Sequence, residues 1–266
     1  MTSNINIVKI GGNIIDDENK LNQFLKDFAH LSGPKILIHG GGKIATEVAK
    51  GLGIEARMVD GRRLTDAEML KVVTMVYGGL VNKNIVAKLQ AFNCNALGLT
   101  GADANIIPAQ KRPVKTIDYG FVGDITAEKV QGNNLQVFLE NGLTPVIAPL
   151  THDEAGHLLN TNADTIASAV AIALAKTYNT NLTYCFEKKG VLASIEDENS
   201  VIHQITEKTY AFLKQDGTIV QGMIPKLDNA FGAIAAGVKS VFICHADDVL
   251  SILEKKEKAG TELING

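Results

Sequence analysis

Short runs of β-branched and apolar residues alternate with helix-spaced segments along the chain, and this alternation constrains the fold more than any other feature. "INIVKI" (Ile5 to Ile10) reads as a buried strand that ends at Gly11-Gly12. Leu21, Phe24, Leu25 and Phe28 then fall on one face of a helix. "KILIHG" is the next strand, three glycines follow its last histidine, and "KIATEVAKGL" is a helix. A long helix opens at "TDAE", where Thr65 and Glu68 match a capping box. Met69, Val72, Val73, Val76 and Leu80 keep its spacing, with Gly78-Gly79 placed to bend or interrupt it. "NALGLTG" and "TPVIAPL" read as strands, "YGFVGDI" as a strand pair or hairpin arm, and "NADTIASAVAIALAK" as a closely packed helix. After Lys176 the pattern restarts with strand "NLTYCF", the polar stretch "SIEDENSVIH", a helix, the loop "QDGTIVQG" and helix "PKLDNAFGAIAAG". Strand "SVFICH" and helix "DDVLSILEKK" close the reading. The expected fold is α/β, a three-layer αβα sandwich around a largely parallel sheet. Two closely joined lobes are expected, residues 1–175 and 176–266.

Composition removes several alternatives. With 266 residues the chain can bury an ample core, and 45% hydrophobic with 21% charged residues is ordinary for a globular protein. A net charge of −3 argues against a dedicated nucleic-acid binder. Cys94, Cys185 and Cys244 form no C-x-x-C pair and read as reduced thiols of a cytoplasmic protein. "MTSNINIVKIGG" lacks the basic and apolar regions of a signal peptide, and "ASAVAIALA" is about half a membrane span.

The glycines carry the chemistry. "HGGGK" is not a P-loop, because Ile44 follows Lys43 where a hydroxyl residue is required. It is not a dinucleotide fingerprint either, because Ala45 fills the third glycine slot. Yet "VKIGGN" and "LIHGGGK" both place glycines at a strand's carboxyl end, where open α/β sheets bind ligands. Without a Cβ, their N–H groups can approach an anion, and the helix starting near Gly42 adds its positive end. Two tight turns are the simpler reading of the pair; Lys9, ending an otherwise apolar strand, favours a phosphate site. Lys226 follows Pro225 in the first turn of a predicted helix, an unfavourable place for a cation unless an anion is held there. Asn160, Asn162 and Asp164 gather at another helix start; Asn162 can cap it, and Asp164 could orient two lysines. Arg62-Arg63 offer a guanidinium fork to a carboxylate.

Through "KIGGN", "HGGGK", "DGRRLT", "GLTGAD", "GFVGDI", "PVIAPL", "LLNTNADT" and "GMIPK", in order and at spacing covering nearly the whole chain, the sequence resembles the amino-acid kinase superfamily, and within it the acetylglutamate kinases. The resemblance implies the amino-acid kinase fold and ATP-dependent phosphorylation of the side-chain carboxylate of N-acetyl-L-glutamate, in arginine biosynthesis. It implies that Lys9 and Lys226 stabilise the transferring γ-phosphoryl group and that Asp164 holds both lysines. N–H groups of Gly12, Gly41 and Gly42 would bind phosphoryl oxygens or substrate. Arg63 and Asn160 would bind the amino-acid substrate, and Glu187, Gly190, Val191 and Leu192 the nucleotide. The partners implied are ATP and an N-acyl-L-glutamate. Magnesium would ride on the ATP phosphates, with no metal site of the protein's own, no nucleic acid and no membrane.

Departures from the family leave alternatives open. Phe186 and Glu187 stand where the family has Ser-Asp or Thr-Asp, and Lys188-Lys189 follow, as nucleotide contacts or an exposed turn. The first strand begins at about Ile5, without the preceding helix of arginine-inhibited members, which implies an arginine-insensitive homodimer. A succinyl group in place of acetyl would need a further cation, for which Arg62, Lys111 and Arg112 are available. N-succinyl-L-glutamate kinase is therefore the alternative reading, and a non-catalytic amino-acid or nucleotide sensor on the same fold is a third.

Overall fold

Eight strands form one sheet: β1 (Asn4–Ile10), β2 (Lys35–His39), β3 (Ala96–Leu99), β4 (Thr144–Ile147), β5 (Asn179–Phe186), β6 (Gln204–Thr206), β7 (Ser240–His245) and β8 (Thr261–Ile264). Their order across the sheet is β6-β8-β7-β5-β1-β2-β4-β3. All neighbours run parallel except β7 and β8, which are antiparallel. The computed structural model describes residues 3–59, 61–194, 196–219, 223–255 and 258–266. Asp60 of the "DGRRLT" stretch and residues 220–222 of the predicted loop lie outside them.

Helices cover both faces: α1 (Glu18–His30), α2 (Gly42–Gly51), α3 (Ala67–Val73), α4 (Asn82–Ala91), α5 (Gly132–Glu140), α6 (Ala163–Ala175), α7 (Glu207–Gln215) and α8 (Ile224–Ala235). The pleat of β1 decides which helices meet which residues, because alternate side chains point to opposite faces. Val8 and Ile10 join Leu21, Phe24, Leu25 and Phe28 of α1 in one core. Ile5 and Ile7 join Ile166, Ala167 and Val170 of α6, with Leu227 and Ala230 of α8, in the other. Lys9 has the parity of Ile5 and Ile7 and so faces α6 and α8, whose first turns carry Asp164 and Lys226. The small residues of α6 let it lie close against the strands, with Ala167, Val170 and Ala171 fully buried.

Several local readings are corrected. The cap of α3 is Asp66, whose side chain accepts from the Met69 N–H at 2.8 Å, and not Thr65. Thr65 is buried, and its hydroxyl donates to the Arg63 carbonyl and meets Asn160. Between α3 and α4 the helix widens into a π-helical stretch, Thr74–Val81, which contains both Gly78 and Gly79. Gly78 sits where a methyl group would come within 3.3 Å of Leu150, so the widened turn meets its neighbour closely. The predicted helix "DDVLSILEKK" begins as a 3-10 turn, Ala246–Asp248, and includes a π-helical turn, Ser251–Lys255. Strand β8 follows it and was not expected. Among the described residues no helix is long and apolar enough to cross a membrane.

Candidate active site

The turns after β1 and β2 lie side by side. The Gly40 N–H donates to the Ile10 carbonyl at 3.2 Å, and a methyl group on Gly40 would stand 3.8 Å from the Gly12 nitrogen. Gly41 has φ +144°, outside the range of L residues, and an added Cβ would sit 3.2 Å from Tyr77 Cδ1. The Gly41 carbonyl accepts from Ala45 N–H as α2 begins, and the Gly42 carbonyl accepts from Arg63 Nη2 at 2.7 Å. The N–H groups of Gly41 and Gly42 have no acceptor among the described residues. Lys43 is not part of this cradle: it is exposed and approaches Asp16 at 3.9 Å.

Lys9, Asp164 and Lys226 come together as the sequence suggested. Lys9 Nζ lies 2.7 Å from Asp164 Oδ1, and Lys226 Nζ lies 3.8 Å from Oδ2. The Asn162 side chain accepts from Asp164 and Thr165 N–H, fixing the turn that presents the carboxylate. Burial pushes the Asp164 carboxyl up, but the two ammonium groups outweigh it and hold it below the usual carboxylate value. Lys226 is lowered, chiefly by burial and secondly by Lys9, with Asp164 opposing. One feature missed in the sequence is Phe186. Its ring lies 3.8 Å from Lys226 Nζ and 5.3 Å from Lys9 Nζ, so a π face supports both cations. The signal for it was parity: Phe186 alternates with Tyr184, which pairs in register with Lys9.

Two hollows meet this cluster, and a third lies beside it against the Asn162 turn. One of about 220 Å³ is lined by Lys9, Gly11, Gly12, Phe186, Glu187 and Lys226. An apolar one of about 240 Å³ shares Phe186 and Glu187 with it and adds Gly190, Val191, Leu192 and Ile219. The third, about 200 Å³, lies on the side of the second glycine turn and is lined by Gly41, Gly42, Arg62, Arg63, Tyr77 and Asn160. A larger hollow of about 510 Å³ involves Asn181 and Ser240, near the amino ends of β5 and β7. It lies at the opposite edge of the sheet and is no part of this site.

Inside the third hollow, Arg63 is buried and partly engaged. Its Nη2 reaches Gly42 O and Thr46 Oγ1 at 2.7 and 2.8 Å, so the guanidinium braces the cradle as well as facing the cavity. Asn160 donates to Thr65 Oγ1 at 2.9 Å. Burial raises the Tyr77 hydroxyl, with Arg63 opposing. Arg112 is occupied by Asp124, and Lys111 lies over the Phe121 ring, which leaves Arg62 and Arg63 as the cations lining the cavity. Beside the apolar hollow, the Thr261 hydroxyl accepts from Val191 N–H at 2.8 Å, and a Cβ on Gly190 would fall 2.7 Å from that oxygen. Lys188 pairs with Glu198 and Lys189 with Asn199, both as an exposed turn. No group of three metal-ligating side chains occurs among the described residues.

A largely parallel sheet that gathers paired glycine turns, two lysines and a carboxylate at the carboxyl edge of its strands has the ligand-binding layout of an open α/β protein. The chain belongs to the amino acid kinase family, whose model matches residues 4–245. Acetylglutamate kinase from Cytophaga hutchinsonii is 61% identical over 259 residues, 97% of this chain and 97% of that one. Acetylglutamate kinase from Bacteroides thetaiotaomicron is 55% identical over 263 residues, 99% of each. Among solved structures, smu.665 from Streptococcus mutans UA159 superposes with a TM-score of 0.75 at 28% identity, covering 98% of both chains.

Proposed function

We propose that this protein transfers the γ-phosphoryl group of ATP to the side-chain carboxylate of N-acetyl-L-glutamate, releasing ADP and N-acetyl-L-glutamyl 5-phosphate, a step of arginine biosynthesis. The observation that carries the reading is one partly buried carboxylate, Asp164, facing two lysines where the glycine turns meet. The acylglutamate takes the hollow of Arg63 and Asn160, and adenine takes the apolar hollow of Gly190, Val191 and Leu192, with Glu187 at its edge. The phosphate chain then passes Gly12, Lys9 and Lys226. On this reading residues 1–175 bind the acyl substrate and residues 176–266 bind ATP.

A carboxylate is ionised at neutral pH, so the nucleophile needs no general base. Its oxygen forms the new bond to phosphorus as the bond to the bridging oxygen breaks, and ADP leaves with that electron pair. Phosphoryl transfer asks the protein for alignment and charge stabilisation. Lys9 and Lys226 meet the charge on the equatorial oxygens, and Asp164 keeps the two cations together against their repulsion. Gly41 and Gly42 offer unpaired N–H donors. Asp164 is taken up by two lysines, and we take magnesium to be carried on the nucleotide phosphates. When bound there, magnesium would neutralise phosphate charge.

Arg62, which lines the acyl hollow beside Arg63, is the observation favouring N-succinyl-L-glutamate as a second reading, since that substrate brings one more carboxylate. We further take the protein to be a cytoplasmic homodimer, with exposed Met75 and Leu80 of the π-helical stretch as apolar surface for a second copy; a light-scattering mass tests this. The main test is ADP release with Mg-ATP and N-acetyl-L-glutamate, beside N-succinyl-L-glutamate and free glutamate, with Lys226→Ala as control. The variant is expected to lose about 10²–10³ in kcat. A preference for the succinyl compound changes the substrate and keeps the mechanism, whereas no turnover with any acylglutamate overturns the reading.

A further inference from the structure

His39, the last residue of β2, is fully buried and touches no cavity of the site, yet both its ring nitrogens are used. Nδ1 lies 2.7 Å from the Gly40 carbonyl, which can only accept. Nε2 lies 3.1 Å from Asn82 Nδ2, and that amide nitrogen also donates to Val146 O at 2.9 Å. The Val146 contact fixes the Asn82 amide as a donor, so Nε2 must accept. Only the neutral Nδ1–H tautomer satisfies both partners. A second ring proton would point Nε2–H at the Asn82 N–H. The arrangement also has a cost, because Asn82 Oδ1 is buried without a hydrogen-bond partner among the described residues, close to Gly98.

That cost makes sense if the network holds something. A trans peptide keeps each carbonyl antiparallel to the next residue's N–H, so pinning the Gly40 carbonyl fixes the direction of the Gly41 N–H. Gly41 has no Cβ and φ +144°, a backbone that its own sterics do not hold in one place. The next peptide is pinned through Gly41 O by α2, and the one after through Gly42 O by Arg63. Tyr77 and Val81 close the remaining side of Gly41. His39 supplies the one pin that α2 and Arg63 do not.

We infer that His39 is a positioning residue: its imidazole, donating to Gly40 O and held in that tautomer by Asn82, aims the Gly41 N–H into the acyl hollow at the oxygen it must bind. This rests on the kinase reading above for what that oxygen belongs to. The test exploits side-chain geometry. In His39→Asn the amide nitrogen takes the place of Nδ1 and keeps the bond to Gly40 O. In His39→Gln the amide reaches the Nε2 position and leaves Gly40 O unpinned. With melting temperatures measured on both, H39N is expected to retain kcat/KM within about threefold of wild type, and H39Q to lose about 10–100-fold, mostly in kcat. Equal activities in the two variants, or losses that merely follow melting temperature, overturn the inference. Imidazole nitrogen NMR gives a readout free of turnover: Nδ1 protonated and Nε2 bare at neutral pH supports it, and the opposite tautomer overturns it. Wild-type protein inactive with every acylglutamate would refute the kinase reading alone, and the NMR result would still judge the tautomer.

Discussion

Acidification should weaken the fold through His39, by an amount the structure sets. Burial pushes its pKa down to about 4 from an ordinary 6.5, with the bond to Gly40 O opposing and the Lys83 charge assisting. The unfolded chain therefore binds a proton that the folded chain refuses, and stability rises with pH in that window. The contribution is present in full above the unfolded value of 6.5 and is lost progressively as pH falls towards about 4. Those two values give a loss of about 2 kcal/mol at about pH 5 relative to pH 7.5. Other groups titrate nearby: Asp164 and Glu254 are held down, whereas burial raises Asp16. A subtraction removes them. Urea unfolding of wild type and His39→Asn, followed by far-ultraviolet circular dichroism because the chain has no tryptophan, should show the wild-type advantage shrinking by about 2 kcal/mol over that range. A difference between the two proteins that stays constant with pH would refute the assignment of His39 as buried and neutral.

Three further outcomes are expected. Asp164→Asn should lose about 10²–10³ in kcat, and because the carboxylate raises Lys226, the alkaline limb of its pH–rate profile should move to lower pH. Gly41→Ala forces a side chain into φ +144° against Tyr77, so a denaturation curve should show a loss of about 1–3 kcal/mol together with lost turnover. Arg63→Lys cannot reach Gly42 O, Thr46 and a substrate carboxylate together, so KM for the acylglutamate should rise about 10–100-fold in initial-rate assays.

The layered fold was legible because each strand is a short apolar run and each helix carries its own spacing. Which way Lys9 points was not legible, because the central strand is apolar on both faces and only the helices packed against each face tell them apart. What could not be read were places where a tertiary partner outbids a local rule. Thr65 has a good capping hydroxyl, but Asn160, distant in sequence, occupies it, and Asp66 caps instead. The π-helical stretch keeps apolar spacing close enough to an α-helix that only its packing against Leu150 and Gly41 distinguishes it. Strand β8 has four residues and runs antiparallel in a sheet otherwise suited to crossovers, so nothing in the strand–helix rhythm announces it.

The same division runs through the site. Lys9, Lys226, Asp164 and the glycines stood out because each is at odds with its surroundings: a cation ending an apolar strand, a cation at a helix's positive end, residues without side chains where a strand should continue. Such a conflict has to be relieved by something, and a ligand is the economical candidate. Phe186, Tyr77 and His39 produce no conflict, since a buried aromatic or a neutral imidazole on a strand is what a core ordinarily holds. Their contribution exists only in what they touch: two ammonium groups over one ring, a glycine against another, and a carbonyl whose direction sets the next N–H. Sequence chemistry therefore finds the charged groups and glycines that gather at one site, and only the folded chain shows the aromatic and imidazole groups that touch them.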